Sequence, residues 1–286
     1  MSKEAKDFRI RFWGTRGSIP VPGRNTLKYG GNTSCLEIRC GEELIIIDAG
    51  TGIRNLGTEL LKETSVKASI LFSHVHWDHI QGIPFFRPAY KPGNGFKLYG
   101  NRNWDTKLEY VLRWQMQKPN FPVTLEEVNS VGAKMEYIDI ESGEVFNVGK
   151  DGQVTIRSTE LHHPDKAFGF RIEYDGKNIV FATDTESLPE PDPGLVELSN
   201  GTDLLIHDAQ YTRDEYYGLD GDPKINWGHS TPESAARTAL GVHAKKLVLF
   251  HHDPYHDDKT IDEMLQSASA IFPNSVAAYE GMVIEI

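Results

Sequence analysis

Cysteine is nearly missing from this chain. Two occur in 286 residues, Cys35 and Cys40. That is too few for a disulfide framework or a thiolate metal site, and a reducing cytoplasm is the expected setting. No apolar run approaches the roughly 20 residues needed to span a membrane, and the opening stretch MSKEAKDFRIRFWG lacks a core of signal-peptide type. A soluble cytoplasmic protein is therefore expected. Basic residues are outnumbered, 30 against 41 acidic, for a net charge of −11. Broad affinity for nucleic acid or for an anionic membrane draws on basic surface, so this balance weighs against both. A small anion could still be captured where metal ions make one spot positive. Internal repeats and low-complexity linkers are also missing. With 39% hydrophobic and 25% charged residues, the composition suits a globular protein with a sizeable core, and one domain over 1–286 is expected.

What is present is a series of short apolar runs. They are FRIRFWG, SCLEIRC, ELIIIDAG, ASILFSH, FKLYG, VTIRSTEL, FGFRIEY, NIVFATD, DLLIHDA, KLVLFHH and VAAYEGMVIEI. Several are bounded by Gly, Asn or Asp, and they read as strands. Helical patterns lie between some of them. One spans 53–62 after a Gly-rich turn. A second, over 105–117, sets Leu108, Val111, Leu112 and Gln115 on one face. A third, over 232–240, follows the capping types Ser230 and Thr231 and has Glu233 in its first turn. A fourth covers 262–270. Strands and helices in both halves predict two sheets with helices outside, a layered α/β arrangement.

The polar residues at the ends of these strands carry the functional signal. Apolar strands end at Asp48, His74, Asp184, His207 and His251. Reactive groups are commonly placed where a rigid element hands over to a loop, so five such endings point to one shared site. The richest is SILFSHVHWDHIQG, with His74, His76, Asp78 and His79 in the spacing His-x-His-x-Asp-His. In extended chain, alternate residues point the same way, so His74 and His76 can converge on one ion. Asp78 and His79 follow where the chain turns into a helix through Ile80, which aims them at a second point. Imidazole and carboxylate without thiolate suits zinc best, with manganese and iron as the alternatives.

With this motif the chain resembles the metallo-β-lactamase superfamily, and within it the ribonuclease Z-like branch that also holds cyclic-nucleotide and phosphoribosyl cyclic phosphodiesterases. Further matches follow in order. Asp48 to Gly52 is similar to the branch's Asp-x-Gly-x-Gly segment. His163, six residues before Gly169, matches the third single histidine, and Asp184 in FATDTE the bridging aspartate. Asp208 in LLIHDA and His229 in GHST resemble the acid and histidine of two later motifs, and His251 in LVLFHHDP the terminal histidine ligand. The resemblance covers nearly the whole chain. It implies a four-layer αββα sandwich of two mixed sheets with outer helices. It also implies two divalent ions, one on His74, His76 and His163, the other on Asp78, His79 and His251, with Asp184 between them. Such a centre would acidify a water between the ions to near neutral pH for attack on a phosphodiester. His229, its tautomer held by Asp208, would protonate the leaving oxygen. Asp48 would orient a ligand histidine through its free ring nitrogen.

Several assignments stay open or point elsewhere. Of the pairs His162/His163 and His251/His252 only one member each should be a ligand, since neighbours in extended chain point oppositely; His163 and His251 are favoured. His207 should face away from Asp208. The loop WGTRGSIPVPG could approach a phosphate with backbone amides and Arg16, or be a plain glycine-rich turn. Tyr211, Thr212 and the loop 218–229 are placed to line a substrate pocket. The aromatic segment 85–123 serves core packing, an interface or a stacked base. Ribonuclease Z carries a long transfer-RNA-gripping arm between its third histidine ligand and the bridging aspartate. Here His163 and Asp184 are 21 positions apart, so a small anionic phosphodiester, cyclic nucleotide or phosphoribosyl cyclic ester, is expected and transfer RNA is not. The alternatives are hydrolysis of a carboxylic ester, lactone or thioester, and a non-catalytic metal-binding accessory role. Related phosphodiesterases imply a homodimer.

Overall fold

The computed structural model describes residues 7–188, 190, 192–219 and 221–286. Its strands are β1 (Phe8–Gly14), β2 (Cys35–Cys40), β3 (Glu43–Ile47), β4 (Lys67–Leu71), β5 (Gly95–Asn101), β6 (Lys134–Ile140), β7 (Val145–Val148), β8 (Val154–Glu160), β9 (Phe168–Tyr174), β10 (Lys177–Ala182), β11 (Leu204–Asp208), β12 (Leu247–Phe250), β13 (Ser275–Ala277) and β14 (Val283–Glu285). The α-helices are α1 (Gly52–Leu60), α2 (Trp77–Ile80), α3 (Leu108–Gln115), α4 (Leu125–Val131), α5 (Pro193–Ser199), α6 (Arg213–Tyr217), α7 (Pro232–Gly241) and α8 (Asp258–Ile271). The strands form two seven-stranded mixed sheets, ordered β14-β1-β2-β3-β4-β5-β6 and β13-β12-β11-β10-β9-β8-β7.

Alternation along single strands shows how the layers stack. In β3, Ile45 and Ile47 join a core between the sheets, while Leu44 and Ile46 join a second core on the outer face. The second sheet repeats this: Ile206 and Phe250 point inward, and Leu205 and Leu249 outward. With both faces covered, period-two side chains are all apolar, which is why these strands read as continuous hydrophobic runs. Outside the first sheet, α1, α3 and α4 contribute Leu56, Leu112 and Val128; outside the second, α5, α7 and α8 contribute Leu195, Ala236 and Ile261. The result is the expected αββα sandwich.

Boundaries moved where caps decide them. The helix expected over 262–270 starts at Asp258, because the Asp257 side chain accepts from the Thr260 amide. That over 105–117 is shorter, Leu108–Gln115. The helix α4 was not anticipated; a reciprocal pairing of Thr124 and Glu127 opens it. The run VAAYEGMVIEI is not one strand. Its two ends pair in different sheets, β13 with β12 and β14 with β1, and Gly281 turns the chain between them at φ 88°.

Strands β3, β4 and β5 run parallel, as do β10, β11, β12 and β13. Their carboxyl ends open on one edge of the sandwich, the usual place for a site in such sheets. Three residues just past them bend sharply: Asp48, Asp184 and His251 have φ of 61°, 60° and 62°. Left-handed backbone is uncommon for residues other than glycine, with Asp and His among the tolerated types, and such strain collects at functional sites.

Candidate metal centre

Seven of the side chains singled out above meet at that edge. The ligand-type atoms of His74, His76, His163 and Asp184 lie within 4.8 Å of one another, as do those of Asp78, His79 and His251. Asp184 touches both groups. Its Oδ2 is 3.4 Å from His74 Nε2, and its Oδ1 is 3.4 Å from His79 Nε2 and 3.3 Å from His251 Nε2. His74 and His76 converge, with ring centroids 4.4 Å apart, but from the loop after β4 rather than along an extended strand.

The neighbouring groups fix which nitrogen faces inward. Asp48 Oδ2 lies 2.7 Å from His79 Nδ1, and Gln210 Oε1 lies 2.8 Å from His251 Nδ1. Both acceptors place the ring proton on Nδ1 and leave Nε2 as a lone pair. Those two Nε2 atoms are 3.2 Å apart, and Asp78 Oδ2 is 3.2 and 3.1 Å from them. Acceptors converge on acceptors, an arrangement that calls for a cation. His74 Nε2 and Asp184 Oδ1 are also buried without a hydrogen-bond partner among the described residues. In His76 the Nε2 is engaged by Asp165 at 2.8 Å, leaving Nδ1 for an ion. The donor set therefore fits divalent metal.

Without metal, the charges distort one another. Burial pushes His74 well down and His163 down to about 4. Burial alone would raise Asp78 and Asp184, but the adjacent His79 and His251 hold both well below the usual carboxylate range. For His79 burial is outweighed by Asp78, Asp184 and Asp48, so it holds a proton that a divalent ion would displace.

Beside the cluster stands a second pair. His229 Nδ1 is 2.8 Å from Asp208 Oδ2. Asp208 is itself pinned, accepting from the amides of Asp184 (3.1 Å), Gln210 (3.1 Å) and Ser230 (2.8 Å). Burial would lower His229, yet Asp208 outweighs it and raises the ring to about 9. His229 and His251 stack with centroids 5.1 Å apart.

Tight backbone approaches hold the walls. A Cβ on Gly17 would sit 2.4 Å from His251 Cε1, and one on Gly228 would sit 2.2 Å from His163 Cδ2. Only glycine fits either place. The N-terminal loop meets the site through the Ser18 amide, 2.7 Å from Asp78 Oδ2. Arg16 does not approach a phosphate position. It is fully buried, and its guanidinium donates to the carbonyls of Gly30 (2.9 Å), Asp253 (2.9 Å) and His256 (2.7 Å). Its role is to tie loops together.

The other doubtful residues also separate. His162 is exposed and outside the cluster. His252 is buried on the Ala278 carbonyl at 2.9 Å, with burial pushing it to about 3. His207 is buried, its Nδ1 2.8 Å from the Asp208 carbonyl. Tyr211 packs edge-on to His229 at 5.7 Å, whereas Thr212 caps α6. Of the loop 218–229, residue 220 lies outside the described residues. In the segment 85–123, Phe86, Leu108, Leu112 and Met116 are core, while Phe85, Tyr110 and Trp114 are exposed. Two functional neighbours escaped sequence reasoning. Gln210, two residues after Asp208, had no motif to announce it. Glu186 accepts from the Gly228 amide at 2.6 Å and the Asn226 amide at 3.1 Å; its only signal was its nearness to Asp184.

This sandwich and this cluster of acceptors define a class. The chain belongs to the metallo-β-lactamase superfamily: the family model described as "Beta-lactamase superfamily domain" matches residues 44–252. Within it the chain falls in the ribonuclease Z-like branch and is a metal-dependent hydrolase. It is 25% identical to a ribonuclease Z of Synechococcus sp. (strain CC9311), over 98% of this chain and 99% of that one. It is 26% identical to a ribonuclease Z of Bacillus licheniformis, over 96% and 97%. Similar folds include the metallo-β-lactamase fold protein YhfI from Bacillus subtilis (TM-score 0.71, 20% identity, 98% and 100% covered) and the short form of human tRNase Z (TM-score 0.64, 22% identity, 96% and 98% covered). Relatives named for ribonuclease Z and transfer RNA leave the expected exclusion of transfer RNA without support. No helix among the described residues is long and apolar enough to cross a membrane.

Proposed function

We propose that this chain, as one hydrolase unit, is a binuclear phosphodiesterase acting on a small anionic phosphodiester such as a cyclic nucleotide or a phosphoribosyl cyclic phosphate. His74, His76 and His163 would hold one ion and Asp78, His79 and His251 the other, with Asp184 shared. The observation that carries this reading is the meeting of the His79 and His251 Nε2 atoms with two carboxylates, which balances only around cations. Zinc suits the donors best, with manganese or iron as alternatives. Bound divalent ions supply Lewis-acid polarisation of a phosphoryl oxygen and a water acidified to near neutral pH.

The chain's own residues do the rest. Asp208 fixes the His229 tautomer with the proton on Nδ1, and the raised pKa of about 9 keeps a second proton on Nε2 at neutral pH. That proton is available to a leaving alkoxide, the demanding part of diester cleavage. A lactone or thioester hydrolase has less need of such an acid. The interval between His163 and Asp184 is filled by β9, a turn at Asp175 and Gly176, and β10, which favours a small substrate over one needing an arm. Alignments with the ribonuclease Z relatives run to 335 positions against 286 residues here, so those relatives carry segments this chain lacks. Their likeness favours a second reading, removal of a 3′ extension from RNA.

A single panel decides. Metal-loaded protein is offered bis-p-nitrophenyl phosphate, cyclic AMP, cyclic GMP, an RNA with a 3′ extension, and a lactone. Turnover of the small diesters, lost in Asp78→Ala, supports the proposal. Cleavage of the RNA alone selects the second reading, and lactone turnover alone overturns both. The expected homodimer is read by light scattering on the same sample.

A further inference from the structure

A cavity of about 590 Å³ lies behind the loop that carries His229, lined by Arg213, Arg237, Glu233 and Asn226 among others. This volume is in the range of small-molecule sites, roughly 300–1,000 Å³. Its charges balance, two arginines against Glu186 and Glu233, in a protein of net charge −11. Arg213 opens α6 and Arg237 lies on α7. Among the described residues neither guanidinium has a hydrogen bond or a carboxylate at ion-pair distance. The Glu186 carboxylate in the wall is already spent on the Asn226 and Gly228 amides and the Tyr216 hydroxyl. The second acid, Glu233, has a buried Oε2 with no partner among the described residues. An adjoining pocket of about 110 Å³ shares Arg237 and Ser234. Thr185 lines it, fully buried, its hydroxyl without a partner among the described residues.

Together these groups ask for a particular ligand. Two guanidiniums unpaired among the described residues suit a phosphate, which accepts their forked N–H donors. A buried acceptor on Glu233 asks for an N–H donor on the same molecule. The Tyr216 and Tyr217 rings, 5.1 Å apart, add aromatic wall. We propose that this cavity is a nucleotide-binding site, distinct from the metal centre, taking a nucleoside phosphate with its phosphate on Arg213 and Arg237 and a base N–H edge on Glu233.

The site's wall is also part of the catalytic edge. Residues 185–187 directly follow Asp184; the Ser187 amide donates to the His229 carbonyl at 3.1 Å, and the Ser230 hydroxyl to the Thr185 carbonyl at 2.6 Å. A nucleotide held here bears on the segment that positions His229, a route to regulation of the reaction. The binding site itself does not depend on which substrate is hydrolysed.

The test uses the metal-loaded protein and, beside it, protein stripped with a chelator and shown by circular dichroism to stay folded, so that phosphate on metal is told apart from phosphate in the cavity. GMP, AMP and inorganic phosphate are titrated by calorimetry into wild type, Arg213→Ala, Arg237→Ala and Glu233→Gln, each first checked for an unchanged melting profile. Saturable GMP binding, weakened about tenfold or more by either arginine change, is expected. Glu233→Gln should weaken GMP while leaving phosphate alone. Absence of binding to stripped protein, or binding indifferent to both arginines, overturns the site. Phosphate binding as tightly as either nucleotide overturns the nucleotide assignment.

Discussion

His79 Nε2 and His251 Nε2 face each other at 3.2 Å although 172 residues separate them in sequence. Their ring protons are committed to Asp48 and Gln210, so two lone pairs meet beside two carboxylates. Without metal, the proton that Asp78, Asp184 and Asp48 hold on His79 relieves this repulsion at the cost of a buried charge. Divalent ions should therefore stabilise the fold strongly. At free metal one hundred times the dissociation constant, one site contributes about 2.7 kcal/mol. Differential scanning calorimetry with and without chelator should show a lower melting temperature on stripping, restored by zinc. Asp184→Asn should abolish most of that difference, since its carboxylate serves both groups.

Gln210 is the least advertised member of this arrangement. Its Oε1 holds His251 Nδ1 at 2.8 Å, and its amide nitrogen lies 3.2 Å from Asp253 Oδ2. Gln210→Leu keeps the volume and removes the acceptor. Loss of such a partner typically costs about 10- to 100-fold in metal affinity. Competition with a chromophoric chelator measures it. An unchanged affinity would mean that His251 is oriented by packing alone.

The Asp208–His229 pair should act at the chemical step. His229→Ala is expected to lower kcat on a diester by about 10²- to 10⁴-fold, the usual range for a positioned acid or base. Asp208→Asn should fall nearly as far, and the double change hardly further, because paired residues are strongly non-additive. Metal content by elemental mass spectrometry should stay near wild type in His229→Ala. A substrate with a p-nitrophenolate leaving group, which needs no proton, should lose much less than an alkyl diester.

Much of this is legible in the sequence, for identifiable reasons. Strands β3, β11 and β12 are buried on both faces, so apolarity alone marked them. His74, His76, Asp78 and His79 are packed so closely in sequence that they announce a metal. What sequence hid depends on the other chain segment in each contact. Arg16 beside glycines looks like an anion loop until the carbonyls of Asp253 and His256 appear around it. Gln210 looks like any polar residue until His251 arrives from a neighbouring strand. The split of 275–286 between two sheets follows from Gly281, whose turn leaves no periodic trace.

Arg16 should accordingly matter for stability and not for substrate affinity. Arg16→Met takes a donor from three carbonyls; that of Asp253 keeps the His256 amide at 3.2 Å, while those of Gly30 and His256 lose their side-chain partner, at about 1–3 kcal/mol for a buried group left unsatisfied. A loss of about 3 kcal/mol or more in urea unfolding is expected, with KM for the diester unchanged in whatever fraction stays folded. Arg16→Lys should fall between, since an ammonium cannot span carbonyls on both loops. A raised KM with intact stability would return Arg16 to the substrate.

Acid sensitivity should arise partly away from the metal centre. Glu215 caps α6 and both its oxygens lie 3.0 Å from His256 Nε2. Burial would raise this carboxyl, but the hydrogen bond to His256 outweighs it and brings the pKa to about 2. A carboxyl depressed in the folded state stabilises fully above its unfolded value, near 4.3, and that stability is lost as pH falls through about 2. Glu215→Gln should therefore be less stable than wild type at pH 7, with the gap closing between about pH 4.5 and 2. The site is a third exposed, so solvent screening keeps the ionic part small, and the Gln side-chain oxygen can still accept from the Thr212 amide, so the cap is kept. Urea midpoints of chelator-treated protein across that interval measure the difference. A gap that stays constant with pH would show that the charge of Glu215 contributes nothing to stability.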